Sequence, residues 1–498
     1  MSKRIELWVL LLAAIILSRL TGMWLLPFID TTEPRYAEIA RLMAETGDWI
    51  TPWFEPGVPF WGKPPLSFWA QAAAIRIFGD SELAIRMPSM LALLLTVWIF
   101  WRYAIIKSGK TTARLAVLVF MTMALPFVSA GAVMTDPFLL LGTTMSLIGY
   151  DLATHDRKRS GNSLFFSGMV IGLLAKGPLA IVLIAIPIVG YCLPNRQRWQ
   201  ALKQLEWIKG LAVVAALVLP WYVAAEIKTP GFIDYFIVGE HFLRFIDAGW
   251  SGDLYGSAHD QPKGMIWVFW VWASFPWGIF ILLRLIKSIS KQGMGSYLLA
   301  IMKDAELQYL LLAALSPMLF FSLAGNTLWT YVLPSLPFSG LVIARALTSS
   351  EHAMSSETVQ PGQPHGLSVK IATLMVPVVV TAGVISVDIG LIPVNSQKAL
   401  VAEYHQAAGE HDSPLFFADG LPFSARFYSR GTAREVSKEQ VIGMLNEPVY
   451  RRYFVAVPIR DSSMTNLISG ATIQAQGKNE KFQLLLITPV ATNYDKSS

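Results

Sequence analysis

Residues 30–69, DTTEPRYAEIARLMAETGDWITPWFEPGVPFWGKPPLSFW, form a polar segment that directly follows the first apolar run of the chain. The segment combines several tryptophans with nine charged residues, among them Asp30, Glu33, Arg35, Glu38 and Lys63. Charged groups are costly beside a bilayer, so a dense set of them is usually retained for a function. We therefore expect the remaining sequence to form a scaffold that holds this segment at a membrane surface.

The composition is that of a polytopic membrane protein. Of 498 residues, 54% are hydrophobic and only 15% are charged, whereas soluble proteins carry about 25% charged residues. The net charge of +6 is concentrated in short loops between apolar runs, which indicates membrane topology rather than nucleic-acid binding. Cys192 is the single cysteine, so a disulfide framework and a cysteine metal site are both excluded.

The apolar runs predict a mainly α-helical bundle of about eleven spans, each close to the roughly 20 residues needed to cross a bilayer. Residues 5–27 are too long for a signal-peptide core, so we expect a retained first span. The predicted spans are 5–27, 83–106, 112–130, 137–153, 163–175, 177–194, 207–226, 265–287, 307–323, 328–347 and 370–390.

The basic loops predict the orientation of these spans. Lys107, Lys110 and Arg114 share one side with Arg196 and Arg198. Basic loops of this kind remain in the cytoplasm. The large loops 28–82 and 227–264, and the chain after residue 390, then lie on the outer face.

The composition changes near residue 391, after the predicted transmembrane domain 1–390. Three apolar segments, 414–419, 453–459 and 482–490, are typical of buried strands. They predict a small soluble α/β domain over residues 391–498. The sequence contains no internal repeat and no glycine-rich nucleotide-binding pattern.

The first loop carries two candidate general bases. Thr31 or Thr32 can cap a helix that has Pro34 in its first turn. Glu33 falls in this first turn and Asp30 just before it. Either carboxylate could deprotonate a hydroxyl acceptor, and helix capping explains the same two residues equally well.

Two lysines are candidate anion-binding groups. Lys63 lies in GKPPL, where two prolines stiffen the backbone; a snorkelling interfacial lysine would look the same. Lys176 lies in AKGP between two apolar runs, on the predicted outer side. An intramembrane cation needs an anionic partner, and a lipid phosphate would supply one.

Two further positions carry residues that could take part in catalysis or binding. Asp136 opens the fourth predicted span in MTDP, either as a cap or as a supporting carboxylate. Glu240 and His241 lie in GEHFLRF, on a predicted helix of the second outer loop. A lone histidine is more often a structural group than a ligand, but a neighbouring glutamate raises the prospect of a metal or substrate site.

Seven stretches resemble the membrane-embedded GT-C glycosyltransferases, above all the ArnT-like aminoarabinose transferases, which are related to protein O-mannosyltransferases. They occur in family order over about residues 5–347. The stretches are EPRYAEIARLMAETGDWITP, PFWGKPPLSFW, AIRMPSML, MTDPFLL, LLAKGPLA, GEHFLRF and SLAGNTLWTYVLPSLP.

The resemblance implies transfer of a sugar, with inversion, from a polyprenyl phosphate such as undecaprenyl phosphate to a lipid or protein acceptor. The reaction would take place on the outer, periplasmic face of a bacterial inner membrane. Fixed cations would hold the leaving phosphate, and a groove between spans would take the prenyl tail. The residues implied are Asp30, Glu33 and Asp136 as catalytic carboxylates, Lys63, Lys176 and Arg86 for the phosphate, and Arg35, Tyr36, Tyr331, Glu240 and His241 for the substrate pocket.

The sequence departs from the family pattern at two positions. The family motif is DExRY. This chain has Thr32 in place of the motif's Asp and Glu33 at the motif's Glu, and its nearest aspartate is Asp30. The base could therefore be Asp30 or Glu33. Gly62 replaces a family glutamate that binds a divalent metal together with a histidine resembling His241. This replacement argues against a divalent metal, which stays an alternative through His241. The protein is expected to be a monomer that does not bind nucleic acid.

Three other functions share these features. A protein O-glycosyltransferase would differ only in its acceptor, and a flippase for lipid-linked sugars would need the same groove and cations. A non-catalytic subunit would leave the function to the soluble domain. Transporters often contain paired repeats of broken spans, which this sequence lacks.

Overall fold

The computed structural model describes residues 7–155, 159–247, 250–256, 261–354, 367–409, 413–418, 420–446, 450–460 and 471–489. These residues form two compact units. The first unit contains Met1–Trp24 and Leu42–Gly383. The second contains Leu25–Arg41 and Val384–Ser498, so part of the first loop belongs with the C-terminal residues.

Helices account for most of the described chain. Up to residue 228 they are α1 (Leu7–Leu25), α2 (Thr32–Thr46), α3 (Leu66–Phe78), α4 (Glu82–Thr122), α5 (Ala124–Ser129), α6 (Asp136–Thr154), α7 (Arg159–Lys176), α8 (Pro178–Cys192), α9 (Arg196–Ala201) and α10 (Trp207–Lys228). They continue with α11 (Arg244–Ile246), α12 (Met265–Ala273), α13 (Trp277–Gln292), α14 (Met294–Lys303), α15 (Ala305–Phe321), α16 (Leu336–Met354), α17 (Leu367–Asp388), α18 (Lys398–Ala408), α19 (Phe423–Tyr428) and α20 (Lys438–Asn446).

Three shorter or wider helical segments accompany them. A 3-10 turn covers Leu202–Gln204, and a second 3-10 segment, Trp329–Ser335, leads into α16. Asp234–Leu243 is a π-helix that leads into α11. A hairpin of β1 (Trp53–Glu55) and β2 (Val58–Pro59) lies within the first loop.

The prediction of a mainly helical, multi-pass membrane protein is confirmed. Among the described residues, five helices are long and apolar enough to cross a membrane, and α12 with α13 would make a sixth span bent by 109°. All the predicted spans coincide with helices, but several of those helices are short or fully buried. The number of spans therefore stays a prediction.

One break divides the longest helix where two spans were predicted. Gly109, with φ 76° and ψ 170°, interrupts α4 between the predicted spans 83–106 and 112–130. Glycine tolerates positive φ because it has no Cβ. The rings of Phe100 and Phe120, on either side of this break, lie 6.0 Å apart, whereas a continuous helix would separate them by about 30 Å. The chain therefore reverses direction at Gly109, between the two predicted spans.

Small residues bring α6 and α7 into backbone contact. A Cβ on Gly149 would lie 2.4 Å from the backbone nitrogen of Phe165, and one on Gly142 would lie 2.6 Å from that of Gly172. Ser146 donates its hydroxyl to the carbonyl of Phe165. Close approach at glycine is typical of helix pairs in membranes. This contact places the start of α6 beside the end of α7.

The second unit contains a five-stranded sheet in the order β4-β3-β5-β7-β6. Its strands are β3 (Leu415–Ala418), β4 (Arg434–Val436), β5 (Tyr453–Pro458), β6 (Ala471–Lys478) and β7 (Phe482–Pro489). Strand β3 pairs in parallel with β4 and β5, and β7 pairs antiparallel with β5 and β6. The three predicted strands correspond to β3, β5 and β7.

Both faces of this sheet are covered by apolar side chains. Phe417 and Phe454 belong to one buried cluster. Phe416 and Val455 belong to a cluster on the other face. Strands buried on both faces have continuous apolar sequences. This explains why β3, β5 and β7 were visible in the sequence while the polar β6 was missed.

Candidate functional site

A cavity of about 340 Å³ lies in the first unit, within the size range of ligand pockets. Its polar lining comes from Lys63, Lys176, Glu240, His241, Arg244, Asn326 and Tyr331. Its apolar lining comes from Pro178, Leu179, Val182, Ile237, Phe242, Phe245, Phe320 and Phe321. Five of the predicted site residues therefore line one cavity, although they come from distant parts of the sequence.

Lys63 reaches this cavity from the turn before α3. Its Nζ donates to the Gly62 carbonyl and lies 3.4 Å from Oε2 of Glu240. A Cβ on Gly62 would lie 2.9 Å from the ring of Phe60, which is itself buried against Phe68. A larger residue at position 62 would therefore require Phe60 to move.

Glu240 lies between two cations at the end of the π-helix. Its Oε1 accepts a hydrogen bond of 2.9 Å from Nη1 of Arg244, and Nη2 of Arg244 lies 3.0 Å from Oδ2 of Asp253. Burial would raise the pKa of Glu240, but Lys63 and Arg244 hold it below its ordinary value. Wide π turns are frequent at functional sites, and this one directs an ionised carboxylate into the cavity.

Lys176 is the second lysine in the cavity lining. As the last residue of α7, it places its Nζ 2.8 Å from Oδ1 of Asp136, the first residue of α6. The same Nζ lies 5.4 Å from the centre of the Tyr331 ring, a cation–π distance. Asp136 is thus the partner of Lys176, and Tyr331 lies beside the pair.

His241 is a poor metal ligand in this geometry. Its Nδ1 lies 2.7 Å from the carbonyl oxygen of Phe236, and its Nε2 lies 3.0 Å from that of Lys176. Both ring nitrogens therefore face backbone oxygens. Among the residues that the structure describes, no group of three His, Cys, Asp or Glu side chains could hold a metal. The residues present do not fit the metal of the family pattern, and burial lowers the pKa of His241.

Asp30 lies in the second unit and contacts the start of α19. One carboxylate oxygen accepts a hydrogen bond of 2.8 Å from the backbone nitrogen of Ser424, and the other accepts from its hydroxyl. Burial raises the pKa of Asp30, although both hydrogen bonds from Ser424 act in the opposite direction. A higher pKa makes a carboxylate a stronger base.

The neighbouring site residues lie on α2, which begins at Thr32 as predicted. Glu33 is in its first turn and is partly exposed. Arg35 lies 5.2 Å from the ring of Tyr36 and 5.7 Å from that of Phe423. Tyr36 itself is buried.

Arg86 does not line the cavity. It is fully buried and donates to the Met23 carbonyl over 3.0 Å. Asn326, in contrast, was not predicted as a site residue but lines the cavity and is 6% exposed. Its Oδ1 is buried with no hydrogen-bond partner among the described residues. The stretch SLAGNTLW contained it, but an Asn after Gly is equally typical of a turn.

Comparison with known proteins gives consistent relatives. Residues 62–223 match the family described as dolichyl-phosphate-mannose-protein mannosyltransferase. The undecaprenyl phosphate-alpha-4-amino-4-deoxy-L-arabinose arabinosyl transferase of Yersinia pestis (strain Pestoides F) is 27% identical over 373 residues, covering 74% of this chain and 64% of the relative. The same transferase from Yersinia enterocolitica is 27% identical over 380 residues, with the same coverage. The match thus covers less than two thirds of these relatives' length.

Two solved structures share the fold. ArnT from Cupriavidus metallidurans bound to undecaprenyl phosphate has a TM-score of 0.77 and 16% identity, covering 97% of this chain and 98% of ArnT. The oligosaccharyltransferase AglB from Archaeoglobus fulgidus has a TM-score of 0.55 and 10% identity, covering 98% of this chain and 75% of AglB. The resemblance found in the sequence is therefore confirmed: the chain is related in sequence to the aminoarabinose transferases, and its fold is the GT-C fold of ArnT.

Proposed function

We propose that the protein is an inverting glycosyltransferase that takes a sugar from a polyprenyl phosphate, such as undecaprenyl phosphate, and passes it to a lipid acceptor of the lipid A type. The observation that carries this proposal is the lining of the cavity. Lys63, Lys176 and Arg244 supply cations to the lining beside Glu240, and most of the remaining lining residues are apolar. A phosphate attached to a long hydrocarbon chain matches both parts.

The proposed division of roles follows from the contacts. Lys63 binds the phosphate, because a preorganised cation stabilises the charge that develops on a leaving group, and Arg244 holds Glu240 beside it. Asp136 holds Lys176 in position rather than acting as a base, since its Oδ1 is already paired with that lysine. Either Asp30 or Glu33 is the proposed base. Arg86 acts in the fold rather than on the phosphate, since it is buried against Met23.

The acceptor distinguishes two enzymes. The aminoarabinose relatives and the similarity to ArnT favour a lipid acceptor. The family matched by residues 62–223 is named for a protein mannosyltransferase, which supports a secreted protein as the alternative. We propose that the reaction takes place on the outer face of a bacterial inner membrane, because the distribution of basic loops predicts that 28–82 and 227–264 lie opposite to the cytoplasm.

Sugar transfer in membranes tests this proposal. Radiolabelled undecaprenyl-phosphate sugars would be incubated with wild type, Asp30→Asn, Glu33→Gln and Lys63→Met, with lipid A and a secreted protein offered as separate acceptors. We expect label in lipid A, at least a hundredfold less with Lys63→Met, and loss in one first-loop variant. Thermal stability in detergent confirms folding of each variant.

Three results would contradict the proposal. Label only in the protein would select the alternative acceptor. Equal transfer by all four proteins would remove both the carboxylates and Lys63 from the reaction. No transfer with any donor, together with movement of the donor across vesicles, would support the flippase.

A further inference from the structure

Each cation in the cavity lining already has a carboxylate partner. Lys176 pairs with Asp136, and Arg244 pairs with both Glu240 and Asp253. Lys63 pairs with Glu240. A phosphate that enters this cavity therefore competes with internal carboxylates, because the cations are neutralised before it arrives.

The pair between Lys63 and Glu240 is the most easily separated of these. Its atoms are 3.4 Å apart, and the Lys63 side chain is 23% exposed. The atoms of Lys176 and Asp136 are 2.8 Å apart, and both side chains are 8% exposed. Glu240 would not be left alone, since Arg244 donates to its other oxygen at 2.9 Å. Lys63 is thus the cation that can turn towards a ligand at the least cost.

We propose, on the basis of the transferase function given above, that Glu240 is a positioning residue that occupies Lys63 in the free cavity and releases it to the phosphate of the donor. Glu240 then sets how tightly the site holds polyprenyl phosphate. The carboxylate keeps Lys63 inside the cavity between turnovers, and it competes for Lys63 when the product has to leave.

The reaction changes the charge on the phosphate, and this change explains why Lys63 would move between Glu240 and the phosphate. The bond between the anomeric carbon and the phosphate oxygen breaks, and its electron pair remains on that oxygen. The acceptor oxygen forms the new bond to the anomeric carbon, and its proton passes to the base. The polyprenyl phosphate therefore gains one negative charge as the sugar leaves. Lys63 neutralises this increment, and the return of Lys63 to Glu240 favours release.

Binding of undecaprenyl phosphate tests the proposal directly. Its Kd would be measured on detergent-solubilised full-length protein for wild type, Glu240→Gln, Lys63→Met and the double variant. Gln still accepts a hydrogen bond from Arg244 but no longer attracts Lys63 as an anion. We expect Glu240→Gln to bind about tenfold tighter, equivalent to about 1.4 kcal/mol, and Lys63→Met to bind more weakly.

The double variant decides whether the effect passes through Lys63. We expect Glu240→Gln to have little effect on the Kd when residue 63 is methionine. Tightening of the same size in that background, or no tightening in either, would overturn the proposal. Glu206→Gln removes an exposed carboxylate paired with Lys209 and controls for net charge; equal tightening there would also overturn it.

A second substitution at position 240 keeps the proposal testable if Glu240→Gln fails to fold. Glu240→Asp keeps the negative charge but shortens the side chain, and we expect a Kd between those of wild type and Glu240→Gln. A Kd for Glu240→Asp equal to or weaker than wild type, in folded protein, would contradict the proposal. Binding is measured without sugar transfer, so a failure of the transferase function and a failure of this exchange give different results.

Discussion

Lys176 Nζ lies 2.8 Å from Asp136 Oδ1, and both side chains are only 8% exposed. This pair joins the end of α7 to the start of α6 at the place where glycines hold the two helices in contact. A buried charge without its partner is strongly destabilising, whereas removal of both charges is far less so. The effects of substituting Lys176 and Asp136 on stability should therefore be coupled.

We predict that Lys176→Met and Asp136→Leu each lower the free energy of unfolding by about 3–5 kcal/mol. The double variant should recover at least half of the loss. Thermal unfolding in detergent measures both effects, with Lys209→Met in the exposed pair with Glu206 as the control. Losses that simply add in the double variant would show that the two side chains are not coupled.

The environment of His241 predicts a loss of stability in acid. Burial lowers its pKa in the folded protein, so the unfolded chain binds a proton that the folded protein does not. The free energy of unfolding should therefore fall as the pH drops below about 6.5. His241→Gln should reduce the difference in Tm between pH 7.5 and pH 5.5, whereas exposed His405→Gln should not. An unchanged difference in His241→Gln would exclude this role.

The hydrogen bonds of His241 also predict the response to metal. Both ring nitrogens face carbonyl oxygens, so zinc would have to displace one of these contacts. We expect the purified protein to contain far less than one zinc per chain by mass spectrometry. We also expect added zinc to leave the Tm within about 1 °C. A stoichiometric metal that is lost in His241→Gln would reverse this conclusion.

The sequence predicted elements whose signals are local. Continuous apolar runs located the helices and β3, β5 and β7, and Pro137 after Asp136 marked the start of α6. Side chains from distant segments could not be paired in the same way. Lys63 and Glu240 are 177 residues apart, and Asp30 and Ser424 are 394 residues apart. No periodicity reports such contacts, so the partners of the predicted charges came only from the structure.

Contact between α6 and α7 predicts a steric limit at Gly149. Its Cβ position lies 2.4 Å from the backbone nitrogen of Phe165, and backbone cannot move aside as a flexible side chain can. We predict that Gly149→Ala lowers the free energy of unfolding by about 1–3 kcal/mol or more. Gly383→Ala in α17 meets nothing within 4 Å and should be neutral. Equal Tm values for the two variants would contradict this view of the contact.

Asp48 accepts hydrogen bonds from several groups of the first loop and from Lys228. Its Oδ1 accepts from the backbone nitrogens of Ile50 and Thr51, and its Oδ2 accepts from Trp53 Nε1 and from Lys228 Nζ. Burial would raise the pKa of Asp48, but Lys228 and the N–H donors hold it below its ordinary value. The carboxylate therefore stabilises the folded protein above about pH 4, and this contribution is lost as the pH falls through the folded pKa.

The ion pair with Lys228 should contribute less than the N–H groups, because the Lys228 side chain is 41% exposed. Exposed ion pairs contribute at most about 1 kcal/mol, whereas hydrogen bonds to a charged group contribute about 1.5–3 kcal/mol. We predict that Asp48→Asn lowers the free energy of unfolding by more than Lys228→Met does. The difference between Asp48→Asn and wild type should narrow below pH 4, because wild type then loses its own carboxylate. A larger loss in Lys228→Met would mean that the loop is held mainly by the ion pair.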